Sequence, residues 1–222
     1  ALTSEARAMI ERVGPVESAS SVATVDATVR RTDLIDEGRT GGIAVTAADL
    51  DLLDTLRADV AVGSWLDDAA ATLPTTVLGN TAARRLGITE PGVRVWLGER
   101  WFSVIGILAP VELASELDSS AFVGSPISEQ LFEFDGSPST IYVRSDVDYI
   151  EAVRAVRGRT ANPEDASEVE ITRPSDVLEA KAAAAVAFTD LFLGLGAVAL
   201  IVGGFGIANV MLMSVMERRG EI

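Results

Sequence analysis

Carboxylates are the most frequent side chains in this sequence that can take part in chemistry. The chain has 33 Asp and Glu residues. Neighbouring acids occur at 33–37, Asp67 and Asp68, Glu116 and Asp118, and Glu164 and Asp165. Paired acids can act as acid and base or hold calcium, but none of these groups has the residue order of an EF-hand loop. Acidic loops on an acidic surface are usually solvated, so we predict no catalytic and no metal site.

Other reactive groups are scarce. The chain contains no histidine and no cysteine, which excludes thiol nucleophiles, His-based triads and Cys/His zinc sites. Lys181 can in principle activate a serine, but its Ala-rich surroundings predict a surface position on a helix. The run Gly203-Gly204-Phe205-Gly206 lacks the Lys-Ser/Thr and the preceding strand of a phosphate-binding loop. We therefore expect no cofactor, and no ATP hydrolysis by this chain.

The net charge of −15 limits the classes of partner that the chain can bind. Nucleic-acid binding needs a cationic surface that displaces counterions from phosphate. This chain has the opposite sign, so nucleic acid is excluded as a partner. The same charge disfavours docking of the folded part on anionic lipid headgroups.

A membrane-spanning helix is predicted over residues 191–216, which carry no charged side chain. At ~1.5 Å per residue this stretch reaches about 39 Å, enough to cross a hydrocarbon core of ~30 Å. The alternative is a buried helix of a soluble protein, but such helices seldom run this far without a charge. The membrane is thus an expected partner.

The orientation follows from the charges at the end of this run. Glu217, Arg218, Arg219 and Glu221 come directly after it. Because arginines flank the cytoplasmic side, the C-terminus is predicted to be cytoplasmic and residues 1–187 extracytoplasmic, in a bacterial cytoplasmic membrane. Residues 217–222 would then begin a cytoplasmic loop.

Small residues inside the apolar run predict packing against other helices. Close helix–helix approach in lipid favours Gly and Ala, and a polar amide can bond across helices. The candidates for this packing are Ala199, Gly203, Gly204, Gly206, Ala208 and Asn209.

The helix is expected to begin before the membrane. Pro174 suits a helix entry, and Asp176 with Glu179 has the spacing of a capping box. Residues 182–187 are strong helix formers. We predict one continuous helix over 175–216, about 60 Å long, with residues 175–190 as a stalk.

The first 174 residues alternate between helix and strand patterns, which predicts an α+β fold. A long extended run covers 16–30, and a short strand covers 41–45. Thr46 and Asp49 are predicted to cap a helix with Leu50, Leu53 and Leu56 turned inward.

Residues 75–126 are predicted to form a smaller β-rich subdomain. Its parts are the strand Thr75–Leu78, a helix over 81–86 ended by Gly87, a hairpin of 93–97 with Arg100–Leu108 across Gly98-Glu99, and a strand over 121–124. Residues 1–74 and 127–174 are predicted to form one mixed α/β part. In that part we expect a strand over 140–144, a helix that begins at Asp146 or Asp148, and a strand over 168–172.

Three tryptophans leave two interpretations open. Trp65, Trp96 and Trp101 can line a groove for an apolar ligand. Trp96 and Trp101 flank the hairpin turn, however, and a simple cross-strand pair explains them equally.

Several segments resemble one family of membrane proteins. Residues 192–222 (FLGLGAVALIVGGFGIANVMLMSVMERRGEI) resemble the second transmembrane helix of MacB-type, or FtsX-like, ABC transporter permeases. Residues 77–87 (VLGNTAARRLG), 92–95 (GVRV) and 102–108 (FSVIGIL) are similar to part of their extracytoplasmic core domain.

The resemblance implies an extracytoplasmic domain with a porter-like α/β part and a smaller mixed part. It also implies a second permease subunit, identical or different, and a separate ABC ATPase. That ATPase would dock on the loop that begins with Glu217, Arg218, Arg219 and Glu221. An accessory extracytoplasmic protein is a further partner to consider.

Two functions fit this assignment. In the first, ATP hydrolysis in the ATPase moves the extracytoplasmic domain to export or extract an amphiphilic substrate: a peptide, lipid, lipoprotein or drug. In the alternative, the domain regulates a cell-wall hydrolase or a sensor and nothing crosses the membrane. A single-pass anchored enzyme is a third hypothesis, disfavoured by the lack of a nucleophile.

Overall fold

The computed structural model describes residues 2–132, 134–145 and 174–218. The helices are α1 (Ala6–Glu11), α2 (Leu52–Leu56), α3 (Asn80–Leu86), α4 (Ser125–Leu131) and α5 (Pro174–Arg218). The strands are β1 (Val16–Val25), β2 (Val29–Arg30), β3 (Ala44–Ala48), β4 (Val60–Gly63), β5 (Thr75–Leu78), β6 (Arg94–Leu97), β7 (Arg100–Leu108), β8 (Ser120–Gly124) and β9 (Thr140–Ser145). The chain divides into two compact units, Ala1–Ile171 and Thr172–Ile222.

Within the described residues, the strands of the first unit form one mixed sheet. Its order is β2-β6-β7-β5-β8-β3-β1-β9, and β4 pairs with β7 beside this path. The β3–β8 and β5–β7 pairs are parallel, and the remaining pairs are antiparallel. The predicted α+β fold is therefore confirmed, with strands from distant parts of the sequence lying side by side.

A hydrophobic cluster covers each face of this sheet. The first cluster contains Phe102 and Leu97, both fully buried, and takes in α3 through Ala82 and Ala83. The second contains Phe122 and takes in α2 through Leu52. Each Å² of apolar surface removed from water stabilises the folded state by ~25 cal/mol, so we expect the burial of these two clusters to be the main source of the unit's stability.

The middle of the sheet agrees closely with the sequence patterns. The strand Thr75–Leu78 and the helix after it are confirmed, and Gly87 ends that helix with a φ of 67°. The hairpin is confirmed as well, with Gly98 and Glu99 both at positive φ in its turn. Two positive-φ residues between antiparallel strands are typical of a type I′ turn, whose twist matches that of the strands.

The prediction for residues 41–56 was partly wrong. The strand is β3, Ala44–Ala48, and Thr46 lies inside it rather than capping a helix. Thr46 is 5% exposed because β3 is inserted between β1 and β8. Helix α2 begins only at Leu52, which leaves Leu50 37% exposed instead of inward.

The sheet is continuous through the predicted subdomain of residues 75–126. Strand β8 of that segment pairs with β3, which lies outside it. The division at residues 75 and 126 remains a prediction. The helix predicted from Asp146 or Asp148, and the strand predicted over 168–172, lie outside the described residues.

Candidate functional site

Helix α5 is the feature with the clearest functional meaning. It runs unbroken from Pro174 to Arg218, 45 residues, which confirms the prediction of one continuous helix. At ~1.5 Å per residue it is about 67 Å long. Its apolar stretch is Val186–Ser214, in which the most apolar 18-residue window has a mean hydropathy of 2.3. In the part of the chain that the structure describes, no other helix is long and apolar enough to cross a membrane.

Within the described residues, the side chains of the apolar part of α5 are exposed. Leu200 is 79% exposed and Phe205 is 74% exposed, and the most apolar window has no buried residue. Hydrophobic side chains also occur all round the helix rather than on one stripe. A helix of this kind is stable only inside lipid or a larger protein core.

The predicted packing residues lie on two faces of α5. With 3.6 residues per turn, Ala199, Gly203 and Gly206 fall within roughly 60° of one another, and Gly204 and Ala208 fall almost opposite. A Cβ atom added at Gly203, Gly204 or Gly206 would meet nothing within 4 Å outside the helix itself. The space beside these glycines is therefore open for a second helix, and their role in packing, with that of Asn209, stays a prediction.

The predicted ATPase-coupling residues lie at the end of α5. Glu217 and Arg218 are the last two residues of the helix. Arg219 and Glu221 lie outside the described residues. Their role in coupling stays a prediction too.

In the first unit, Arg7 is the centre of a charged cluster. Its guanidinium lies 3.0 Å from Asp49, 2.5 Å from Asp51 and 3.1 Å from Glu11, and it donates to the carbonyl of Ala19. Burial lowers the pKa of Arg7, but the three carboxylates outweigh this effect and raise it. The cluster joins α1 to the end of β3 and the start of α2.

A polar cleft of about 420 Å³ opens beside this cluster. Arg7, Asp49, Glu129 and Asp135 contribute charges to its wall, and Phe134 contributes an aromatic ring. The cleft is large enough for a small polar group or a side chain of a partner. Sequence reasoning missed it, because its walls come from five separate parts of the chain.

Several acids of the groups predicted to be solvated have defined partners: Asp36 accepts from the Gly38 N–H and Asp67 from the Ala70 N–H. Glu116 accepts a hydrogen bond from the Tyr142 hydroxyl at 2.9 Å, and Asp118 accepts one from the Val111 N–H at 2.9 Å. Burial and the Glu116 carboxylate both raise the pKa of Tyr142. These two acids fasten the segment before β8 to its surroundings.

The tryptophans do not form one groove. Trp96 and Trp101 pair across the hairpin, with ring centroids 5.3 Å apart in an edge-on arrangement. Trp65 instead packs on Phe122 in the second hydrophobic cluster and donates its indole N–H to Leu50. The cross-strand interpretation is thus confirmed for two of them.

A mixed sheet domain and a helix with an apolar stretch long enough to cross a membrane are the features of a membrane protein that carries a folded domain. Residues 1–170 match the family described as the MacB-like periplasmic core domain. The chain belongs to this family, that of the MacB-like ABC transporter permeases.

Curated relatives agree with this assignment. The chain is 26% identical over 216 residues to the macrolide export ATP-binding/permease protein MacB of Agrobacterium fabrum, a match that covers 93% of this chain and 33% of that protein. It is 29% identical over 191 residues to the pyoverdine export ATP-binding/permease protein PvdT of Pseudomonas aeruginosa, covering 78% and 28%. The chain therefore spans about a third of the length of these relatives.

Solved structures support the fold. The extracellular domain of the noncanonic ABC-type transporter YknZ from Gram-positive bacteria superposes with a TM-score of 0.56 at 22% identity, covering 72% of this chain and 82% of that chain. The periplasmic region of MacB from Actinobacillus actinomycetemcomitans gives 0.55 at 12% identity, covering 81% and 82%.

Proposed function

We propose that this chain is the extracytoplasmic domain and second transmembrane helix of an ABC exporter permease subunit. ATP hydrolysis in a partner ATPase moves the domain, which exports or extracts an amphiphilic peptide, lipid, lipoprotein or drug. The observation that carries the proposal is the union of a MacB-like domain with a 45-residue helix whose apolar surface is uncovered. Macrolide and pyoverdine export by the named relatives supports the substrate class.

Helix α5 supports a mechanical role. No proline or break interrupts it between Ser175 and Arg218, so its backbone hydrogen bonds form one continuous ladder. Such a rod transmits a displacement at its cytoplasmic end to its extracytoplasmic end without bending. We propose that the partner ATPase applies that displacement through Arg218 and Arg219, the cations that follow the apolar stretch in the sequence.

The glycines support a multi-helix assembly. A helix that faces lipid alone gains nothing from small residues, whereas Gly203 and Ala199 allow a second helix to approach closely. We infer that α5 packs against other permease helices, including those of a second permease subunit.

The orientation can be tested directly, because the chain has no cysteine. We would introduce Glu90→Cys in an exposed loop of the domain and, separately, Glu221→Cys after the helix. In spheroplasts, a membrane-impermeant maleimide should label Glu90→Cys at once and Glu221→Cys only after lysis. The unsubstituted chain is the control, and the reverse labelling order would refute the proposed topology.

Coupling can be tested in the whole permease assembled with its ATPase in lipid nanodiscs. Arg218→Ala combined with Arg219→Ala should abolish substrate-stimulated ATP hydrolysis, whereas Arg12→Ala in the domain should leave it unchanged. Mass spectrometry of the purified complex should detect a bound amphiphile. Recovery of a cell-wall hydrolase without any amphiphile would instead favour the regulatory alternative.

A further inference from the structure

The β6–β7 hairpin has one buried face and one open face. Val95, Phe102 and Val104 point into the first hydrophobic cluster and are at most 1% exposed. The opposite face carries Arg94, Trp96 and Trp101, to which we refer as the Trp–Arg face. The hairpin is thus held rigidly from behind while it presents this face outward.

The Trp–Arg face lies on the same side of the sheet as the second hydrophobic cluster, beyond the edge of that cluster. On β7 that cluster reaches Ile105 and ends there. Toward the turn, the next residues on the same side are Ser103 and then Trp101, which is 38% exposed. On this side of the hairpin Arg94 is exposed and Trp96 is half-buried, so two indoles and a guanidinium are at least partly accessible.

The charge of this face is uncompensated. Arg94 and Arg100 form no ion pair within the described residues, and Arg31 donates only to the neutral carbonyl of Arg94 at 3.0 Å. Glu99, in the turn, is the one carboxylate in the sequence from residue 94 to 108. The net charge of the chain is −15, so a surface on which arginines predominate differs from the acidic character of the chain as a whole.

Arg30 adds a further cation next to the face. It pairs with Trp96 across β2 and β6, is 8% exposed, and donates to the Ile35 carbonyl at 2.7 Å. Its Nε atom is buried without a hydrogen-bond partner, and the carboxylate of Glu37 lies as far as 3.9 Å away. Its positive charge is therefore only weakly offset.

The geometry of Arg94 indicates which ligand chemistry suits the face. Its guanidinium lies over the Trp101 ring, 5.4 Å from the ring centroid. The stacking limits the rotamers of Arg94 while its planar N–H groups stay free for a carboxylate. The Arg94 guanidinium also covers one face of the Trp101 indole, on which a sugar ring would have to stack. Trp96 lies edge-on to Trp101 and offers no second flat surface, so the geometry disfavours a sugar ligand.

We propose that the Trp–Arg face docks an acidic peptide segment of a partner protein, with carboxylates on Arg94 and Arg31 and apolar side chains against Trp96 and Trp101. Charge complementarity selects the partner, since the chain's own charges leave these arginines unpaired. Exposed ion pairs alone contribute little binding free energy, so Trp96 and Trp101 supply the apolar contact area that such a complex needs.

The test uses the whole chain in neutral detergent micelles and a fluorescein-labelled peptide of alternating glutamate and leucine. Its anisotropy should rise on titration with the chain, and this binding should be lost at ~1 M salt, where the Debye length is about 3 Å. Arg94→Gln should weaken binding about tenfold, the loss of one charge-assisted pair. Arg94→Lys should weaken it less.

Arg84→Gln is the matched control, because it removes the same charge from exposed α3 on the other side of the sheet. It should leave the affinity unchanged. Equal binding of the corresponding lysine–leucine peptide, or an equal loss in Arg84→Gln, would overturn the proposal. So would binding of vesicles with phosphatidylglycerol but not of the peptide, or self-association of the chain that Arg94→Gln abolishes.

Discussion

Gly124 is a position where a single added methyl group should be costly. It ends β8 and precedes α4, with φ −67° and ψ 146°, a backbone conformation that alanine adopts freely. A Cβ atom there would lie 2.4 Å from both the Cα and the carbonyl oxygen of Ala71. Both are backbone atoms, so the 3-10 turn Ala70–Thr72 has to move as a whole.

We expect Gly124→Ala to destabilise the domain by about 2 kcal/mol, the usual scale of overpacking in a well-packed core. With a urea m-value of about 2 kcal/mol/M, the unfolding midpoint should fall by about 1 M. Trp65 reports on this region, because its ring lies 5.4 Å from that of Phe122, two residues before Gly124. Its fluorescence can follow urea unfolding of the whole chain in micelles.

Gly14→Ala is the control, since a Cβ atom at Gly14 meets nothing within 4 Å. That change should leave the midpoint unaltered or raise it slightly, because alanine restricts the unfolded chain. A Gly124→Ala midpoint equal to that of the unsubstituted chain would show that β8 and the 3-10 turn do not approach each other this closely.

Three further predictions concern charge and the membrane helix. Tyr142→Phe should cost about 1 kcal/mol at neutral pH by removing the hydrogen bond to Glu116. Because the folded state raises the pKa of Tyr142, its contribution to stability is complete below the unfolded pKa of ~10 and declines progressively as the pH rises from there toward the folded pKa. The variant should therefore show a weaker alkaline decline in urea midpoint. Arg7→Gln should lower the free energy of unfolding by about 1 kcal/mol, less at high salt, since its partners are partly exposed. Gly203→Leu should reduce cross-linked dimers in micelles without changing the domain's urea midpoint. An unchanged yield of cross-linked dimers would show that Gly203 does not lie on a packing face.

Local features of the fold could be predicted because neighbouring residues determine them. The hairpin follows from Gly98 and Glu99 between two alternating runs, and α3 ends where Gly87 supplies a positive φ. Helix α5 follows from its long apolar composition. In each case the decisive contacts lie within a few residues along the chain.

Features that depend on distant residues could not be predicted. Thr46 has a sequence context that suits a helix cap, but its backbone pairs with Phe122 in β8. The ion pair between Arg7 and Asp51 joins residues 44 positions apart. Strand β4 was missed because Val60–Gly63 is a short strand at the side of β7, and its pattern alone is too brief to indicate a strand.

The pairing of β1 with β9 sets an order of events during biogenesis. The N–H of Thr24 on β1 donates to the Ser139 hydroxyl just before β9, 115 residues further along the chain. Strand β1 therefore emerges from whatever machinery threads the chain long before its outer neighbour exists. Until then its hydrogen-bonding edge is open to aggregation or to a chaperone, and the pairing of β9 is the step that covers this edge.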